Sequence, residues 1–226
     1  MKMHIQPPEC GFMRFAVGLV VATAALGLMT PVGAQVSASA CGELENAYGP
    51  FDYRTDRDKL SIVEGAHFTR PVEMLVRGER GHLVQDLDYT LRAFPNHHRA
   101  LASMVRLGDR QKVTRIAGSK WDVECYLERA VRFRPDDTTV RMLYASFLHP
   151  RQRKDEALSH LRVASEYARD NPFTHYNMGL VYLDLGEHGR ALEHAQMAQA
   201  LGFPRTELKD RLVAAGKWAE AASAPR

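Results

Sequence analysis

The chain contains none of the short motifs that mark the commonest enzyme active sites. No His-x-x-x-His pair carries the glutamate of a zinc protease, and neither a Gly-x-Ser-x-Gly motif nor a phosphate-binding loop occurs. Asp86 and Asp88 are two residues apart on a predicted helix, so they point to different sides of it. We therefore predict no catalytic residue, no cofactor and no metal site. A metal held by the adjacent His97 and His98 with a distant carboxylate is the alternative, which metal analysis of the purified protein tests.

The apolar run near the N-terminus is too short for a membrane span. Phe15–Met29 has 15 residues, whereas a spanning helix needs about 20. An arginine precedes the run and Thr30–Ala34 follows it, a helix breaker with small residues, as in a secretory signal peptide. We predict a signal peptide over residues 1–34, cut at its end, and a periplasmic protein. An uncleaved signal anchor is the alternative, and Met13 is a better start for such a signal than Met1.

Cysteine is scarce, and removal of the signal peptide leaves Cys41 and Cys125 of the three in the chain. In an oxidising compartment two cysteines are most naturally read as a disulfide. Closing the loop between them would contribute about 3–5 kcal/mol to stability. We therefore predict a Cys41–Cys125 bridge. Lipidation of Cys41 is the lesser alternative, because the acylation box requires an aliphatic residue three positions before the cysteine.

Positive charge is concentrated in the middle of the chain, although the formal net charge is only +3. Residues 92–154 contain 14 basic and 6 acidic side chains, while the segments 35–91 and 155–226 are net acidic. Such clusters attract anionic partners. Outside the cytoplasm these are acidic proteins, lipid headgroups or anionic glycans, not nucleic acid. We predict an anion-binding patch in and beside a long basic loop, at Arg110, Lys112, Arg115 and Lys120. A solvated helical face paired with Asp122, Glu124 and Glu128 is the alternative.

Helix-terminating prolines divide the chain, at Pro95, Pro135, Pro172 and Pro204. Apolar residues between them recur at helical spacing. The pattern predicts an all-helical domain after an N-terminal segment, 35–60. In this segment a Gly49-Pro50 turn separates aromatic residues that pack on the first helices. The predicted helices are Ser61–Arg77, His82–Phe94, His97–Leu107, Trp121–Phe133, Thr138–Leu148, Asp155–Arg169, Pro172–Leu185, Arg190–Leu201 and one beginning at Thr206, with a loop at Gly108–Lys120. Within the first of them, Pro71 marks either a kink or a helix start.

The last two predicted helix pairs repeat the same residue types at a constant offset along the chain. The matching residues are Tyr144-Ala145 and Met178-Gly179, Leu148 and Tyr182, Ala157-Leu158 and Ala191-Leu192, and Ala164 and Ala198. Their offset, with small residues where two helices meet, resembles the tetratricopeptide repeat, whose period is about 34 residues. In the best unit, 173–204, Gly186 matches the glycine that closes the first helix, while the preceding unit lacks it.

The resemblance implies a right-handed α-solenoid. It predicts about four helix pairs over residues 61–204, the last two regular, and a capping helix with a tail over 205–226. The stretch 48–99 also resembles a family of short exported bacterial repeat proteins to which no defined biochemistry is attached. Architecture of this kind predicts a protein that holds another molecule.

In tetratricopeptide proteins the first helix of each pair lines the concave surface. This places the predicted partner-binding residues, together with Thr139, at Met142, Ser146, Phe173, Tyr176, Asn177, Leu180 and Asp184. Only Asn177 falls on a position used to clamp a peptide carboxylate, so a clamp is not supported. The sequence predicts a non-enzymatic scaffold of the bacterial cell envelope that binds a protein or peptide along this face. The alternative is an accessory protein that docks on an anionic membrane surface or polymer; the oligomeric state stays open.

Overall fold

The computed structural model of the chain describes residues 40–220, which contain helices and no strand. The predicted signal peptide, the alternative start at Met13 and the last six residues lie outside this range. Within residues 40–220, no helix combines the length and apolar character needed to cross a membrane. The helices are α1 (Arg57–His67), α2 (Arg70–Glu73), α3 (Leu83–Ala93), α4 (His98–Gln111), α5 (Val123–Phe133), α6 (Thr138–Leu148), a 3-10 turn (His149–Arg151), α7 (Lys154–Ala168), α8 (Pro172–Asp184), α9 (His188–Ala200) and α10 (Glu207–Ala214).

Helix starts follow the capping residues in the sequence. The Asp137 carboxylate accepts the backbone N–H groups of Thr139 and Val140 at the start of α6. The Asn171 side chain accepts the N–H of Thr174 at the start of α8. These acceptors satisfy N–H groups that have no partner within the helix, which explains why α6 and α8 start where predicted.

The turn that closes the first helix of each pair has the same backbone conformation in three successive pairs. Gly186 has φ +76°, and Gln152 and Lys112 occupy the equivalent places with φ +60° and +55°. The chain after each closes onto the helix, as Arg153 N–H donates to Leu148 O and Val113 N–H to Gly108 O. The left-handed position that favours glycine is therefore present even where the sequence has none.

From α2 onward consecutive helices contact one another, and the first helices of successive pairs are also in contact. α6–α7 and α8–α9 are the two most extensively packed pairs; α4 contacts α6, α6 contacts α8, and α8 contacts α10. Close approach within the last pair depends on Gly179, since a Cβ there would lie 3.3 Å from Ala191 O and 2.3 Å from Leu208 Cδ2 of α10. The predicted all-α solenoid of helix pairs with a C-terminal capping helix is confirmed.

Two predicted boundaries in the first half are wrong. The single helix expected over 61–77 is two helices, because α1 ends at His67 and Pro71 lies in the first turn of the short α2. Proline has no N–H to donate, so the first turn is where a helix tolerates it. Helix α4 continues to Gln111, which shortens the expected basic loop from its N-terminal side.

The N-terminal segment packs on the solenoid as predicted. Phe51 contacts Tyr48 and Phe94, with ring centroids 4.9 and 5.5 Å apart. Gly49 has φ +100°, and a Cβ there would lie 2.4 Å from Ala93 O, so this turn requires glycine.

The Cys41–Cys125 disulfide is confirmed and ties this segment to α5, with Cα atoms 5.1 Å apart. Both cysteines are buried. A lipid is attached to cysteine through a thioether, and a sulfur atom in a disulfide cannot also form that bond. The structure therefore contradicts the lipidation alternative for Cys41.

Candidate functional site

One exposed stripe runs along the first helices of the last two pairs. In α8, Phe173 is 58% exposed, and Asn177, Leu180 and Asp184 continue the same face at helical spacing. Subtracting one repeat period places Thr139, Leu143 and Ser146 on the equivalent face of α6, where each is half-buried or exposed. Because α6 contacts α8, we name these seven residues together the α6–α8 stripe.

Two predicted partner-binding residues belong to the core instead. Met142 and Tyr176, which occupy equivalent positions in successive repeats, are 6% and 3% exposed. The Tyr176 ring packs on Phe203, with centroids 4.6 Å apart, and its hydroxyl donates to Glu207 of α10. The chain after α9 covers this position in the last pair, and both side chains have little surface to offer a partner.

The side chains on this face of α8 have distinct surroundings. The Asn177 amide donates to Phe173 O at 2.8 Å, an interaction within its own helix. Asp184 forms an ion pair of 2.7 Å with Arg211 of the capping helix. Phe173 meets Phe203 edge to face at 6.2 Å and keeps most of its ring in solvent. Phe173 and Leu180 are therefore the apolar side chains of α8 that a bound segment can cover.

Sequence reasoning missed Leu143 as part of this face. It occupies the place in α6 that Asn177 occupies in α8, so the period relates the two positions but does not say which side of α6 is covered. Met142 was wrongly predicted to be exposed for the same reason: the exposure of each residue depends on which side of α6 the neighbouring helices cover.

The four residues of the predicted anion-binding patch are all exposed. Arg115 donates to Lys120 O at 2.8 Å, and the Lys120 ammonium lies 4.7 Å from the Trp121 ring. Within residues 40–220 none of the four forms an ion pair, and Glu124 and Glu128 pair with Arg153 and Arg132 instead. The alternative of a helical face paired with these carboxylates therefore applies to Arg132, which pairs with Glu128, and not to the four patch residues.

Other arginines of the basic middle have structural roles. Arg129 is 1% exposed, donates to the carbonyls of Cys41, Gly42 and Glu43, and stacks 3.9 Å from the Trp121 ring centroid. Burial lowers the pKa of its guanidinium. This buried cation holds the N-terminal segment next to the disulfide, so part of the positive charge counted in the sequence serves the fold.

The two adjacent histidines pair with separate carboxylates. His97 Nε2 lies 3.1 Å from Glu64, and His98 Nε2 lies 2.9 Å from Asp137. Burial lowers the pKa of His97. Among the described residues no group of three or more histidine, cysteine or carboxylate side chains could hold a metal ion.

A buried polar network, not anticipated from the sequence, surrounds Asn96. Its amide donates to Asp52 at 2.7 Å and to Asp137 at 2.9 Å. Burial alone would raise the pKa of the Asp52 carboxyl, but hydrogen bonds from Arg54 and Asn96 outweigh it and hold that pKa well below its usual range. The network joins the N-terminal segment to the turns before α4 and α6, so its role is to stabilise the fold.

Comparison with known proteins adds little to the fold assignment, which rests on the helices described above. No family model and no curated protein matches the sequence. A solved structure described as "MamA MSR-1 C2" is similar to this chain with 17% identity and a TM-score of 0.38, over 63% of this chain and 74% of that one. A TM-score this low carries no argument about fold or function.

Proposed function

We propose that this protein is a non-enzymatic interaction scaffold of the bacterial cell envelope, which binds an extended peptide or a partner helix along the α6–α8 stripe. The observation that carries the proposal is the repetition of one exposed face, at equivalent positions of two first helices that contact each other. A single exposed face occurs on most helices, whereas two faces in register form a continuous surface.

The composition of the stripe fits an amphipathic segment. Phe173 and Leu180 offer apolar anchors spaced by two helical turns, and Thr139, Ser146 and Asp184 offer polar groups beside them. Exposed aromatic side chains supply large contact area and are enriched at binding hot spots. Helix-in-groove recognition uses apolar anchors at this kind of spacing.

The envelope location is part of the proposal and is supported by two features. The N-terminal apolar run has the layout of an export signal. A buried disulfide persists in an oxidising compartment and is rare in the cytosol.

Site-specific photo-crosslinking tests the stripe directly. A photoreactive side chain at position 173 or 180 should crosslink to a partner in the producing cell, and unlabelled protein in excess should compete. The same group at Tyr167, an aromatic residue of α7 that is 45% exposed, is the matched control and should not crosslink. Equal crosslinking from all three positions, or none from 173 and 180, would contradict the proposal.

The exposed loop cations support a second candidate, docking on an anionic surface or polymer. Lys112, Arg115 and Lys120 have no carboxylate partner within residues 40–220. Reversing Arg115 and Lys120 to glutamate should weaken salt-sensitive retention on an immobilised polyanion, since exposed charges act through a screened field. Retention that is unchanged in these variants argues against the candidate.

A further inference from the structure

The turn after α2 exposes two apolar side chains. Met74 and Val76 are 60% and 73% exposed, and they flank Leu75. Leu75 has φ +57°, in the left-handed region that bulky residues rarely adopt, and its side chain packs partly against the core. With Leu75 turned inward, its two neighbours stay in solvent.

Five exposed arginines surround this turn. Arg106 donates to Glu73 O at 3.1 Å and Arg110 to Leu75 O at 3.4 Å, which places both guanidinium groups against the turn. Arg70 belongs to α2, Arg77 follows Val76 directly, and Arg80 lies four residues beyond Val76. Within residues 40–220 no carboxylate forms an ion pair with any of the five, which are Arg70, Arg77, Arg80, Arg106 and Arg110.

The carboxylates near these arginines are mostly engaged elsewhere. Glu73 pairs with Arg99, and Asp109 pairs with Arg151. Glu79 accepts a hydrogen bond from the Thr69 hydroxyl and is the acidic side chain of the turn that no cation neutralises within the described range. The turn therefore combines two protruding apolar side chains with a strong excess of positive charge.

We propose that this turn, residues 70–80 together with Arg106 and Arg110, docks on the surface of an anionic lipid bilayer. Apolar side chains exposed this far can enter the headgroup boundary without a shaped partner, whereas Leu180 in the α6–α8 stripe is half-sheltered, as in a groove. Guanidinium groups form bidentate hydrogen bonds with phosphate, and anionic headgroups attract cations near their surface. The turn shares only Arg110 with the predicted anion-binding patch and does not depend on peptide binding.

A tryptophan probe reports insertion at the turn itself. All variants are purified from the producing cell in the same form. Any membrane contact outside the turn is therefore the same in each of them. The emission of Val76→Trp should shift to the blue with vesicles of phosphatidylcholine and phosphatidylglycerol, and not with phosphatidylcholine alone. Val213→Trp, at a position 54% exposed on α10, is the matched control and should not shift in either mixture.

Flotation with the same vesicles tests both components of the surface. Two double variants are compared with the wild type: Met74→Ser with Val76→Ser, and Arg77→Glu with Arg80→Glu. The partition coefficient of each onto the vesicles should be lower by about tenfold. Arg162→Glu, an exposed position on α7, is the charge control and should bind as the wild type does. An absent shift at position 76, an equal shift with neutral vesicles, or unchanged flotation of either double variant would overturn the proposal. Far-UV circular dichroism shows that each variant is folded.

Discussion

At the scale of single residues, the half-buried His160 and the buried His194 show how partial loss of water makes the stability of the core depend on pH. His160 stacks on Tyr144, with ring centroids 4.3 Å apart, and its Nδ1 has no partner in the described part of the chain. Burial and the nearby Arg141 lower the pKa of His160 to about 4. Burial and His175 lower the pKa of His194 to about 4 as well.

These two histidines should make stability fall between pH 6.5 and 4. In this window the unfolded chain binds protons on both rings and the folded chain does not, so the free energy of unfolding decreases as pH falls. Each ring should contribute about 1–3 kcal/mol of this loss, since the sites are not fully desolvated. His160→Phe keeps the stacking and removes the titration, so urea denaturation across this range should show a shallower decline. The surface variant His149→Phe should decline as the wild type does, and an unchanged slope for His160→Phe would contradict the assignment.

At the scale of elements, the last helix pair and the capping helix meet at one glycine. Gly179 faces both Ala191 of α9 and Leu208 of α10, which is 1% exposed. The cap therefore packs where the two helices of the preceding pair approach most closely, and it covers the apolar end of the solenoid.

Adding a methyl group at this junction should destabilise the protein. Gly179→Ala should lower the free energy of unfolding by about 1–3 kcal/mol, because the new Cβ overlaps Leu208 and overpacks the core. Truncating Leu208 relieves the overlap, so Gly179→Ala with Leu208→Ala should lose less than the sum of the two single variants. Gly189→Ala in α9, where a Cβ meets nothing within 4 Å, is the control and should be neutral or slightly stabilising. Strict additivity in the urea-denaturation cycle would count against this packing.

At the scale of the whole molecule, the N-terminal segment is part of the folded domain. The disulfide, the Arg129 hydrogen bonds and the Asn96 network join residues 41–54 to α5 and to the turns before α4 and α6. These links connect the irregular first half of the chain to the regular second half.

Reduction should test how much this connection stabilises the fold. The bridge closes a loop of 84 residues, so Cys41→Ser with Cys125→Ser should lower the free energy of unfolding by about 3–5 kcal/mol. Dithiothreitol should destabilise the wild type by a similar amount and leave the double variant unchanged. Equal thiol counts in native protein with and without reductant would contradict the bridge.

The sequence by itself determined the helices of the second half and their period. Capping residues, prolines and the helical periodicity of apolar residues are local signals, so α6 was predicted over the residues it occupies and α8 within one residue. The disulfide was also predictable, because residues 35–226 contain two cysteines, Cys41 and Cys125. The signal for Pro71 was ambiguous, since proline permits either a kink or a helix start.

Only the tertiary structure decided which side of each helix meets solvent. Met142 and Leu143 are neighbours on α6, yet one is buried and the other is half-exposed, because the helices packed against α6 cover one of its sides and not the other. The same reason separates Arg129, which is a buried cation of the fold, from the exposed arginines around Leu75. The exposure of a side chain in a stack of helices depends on which helix packs against it, and the local sequence does not identify that helix.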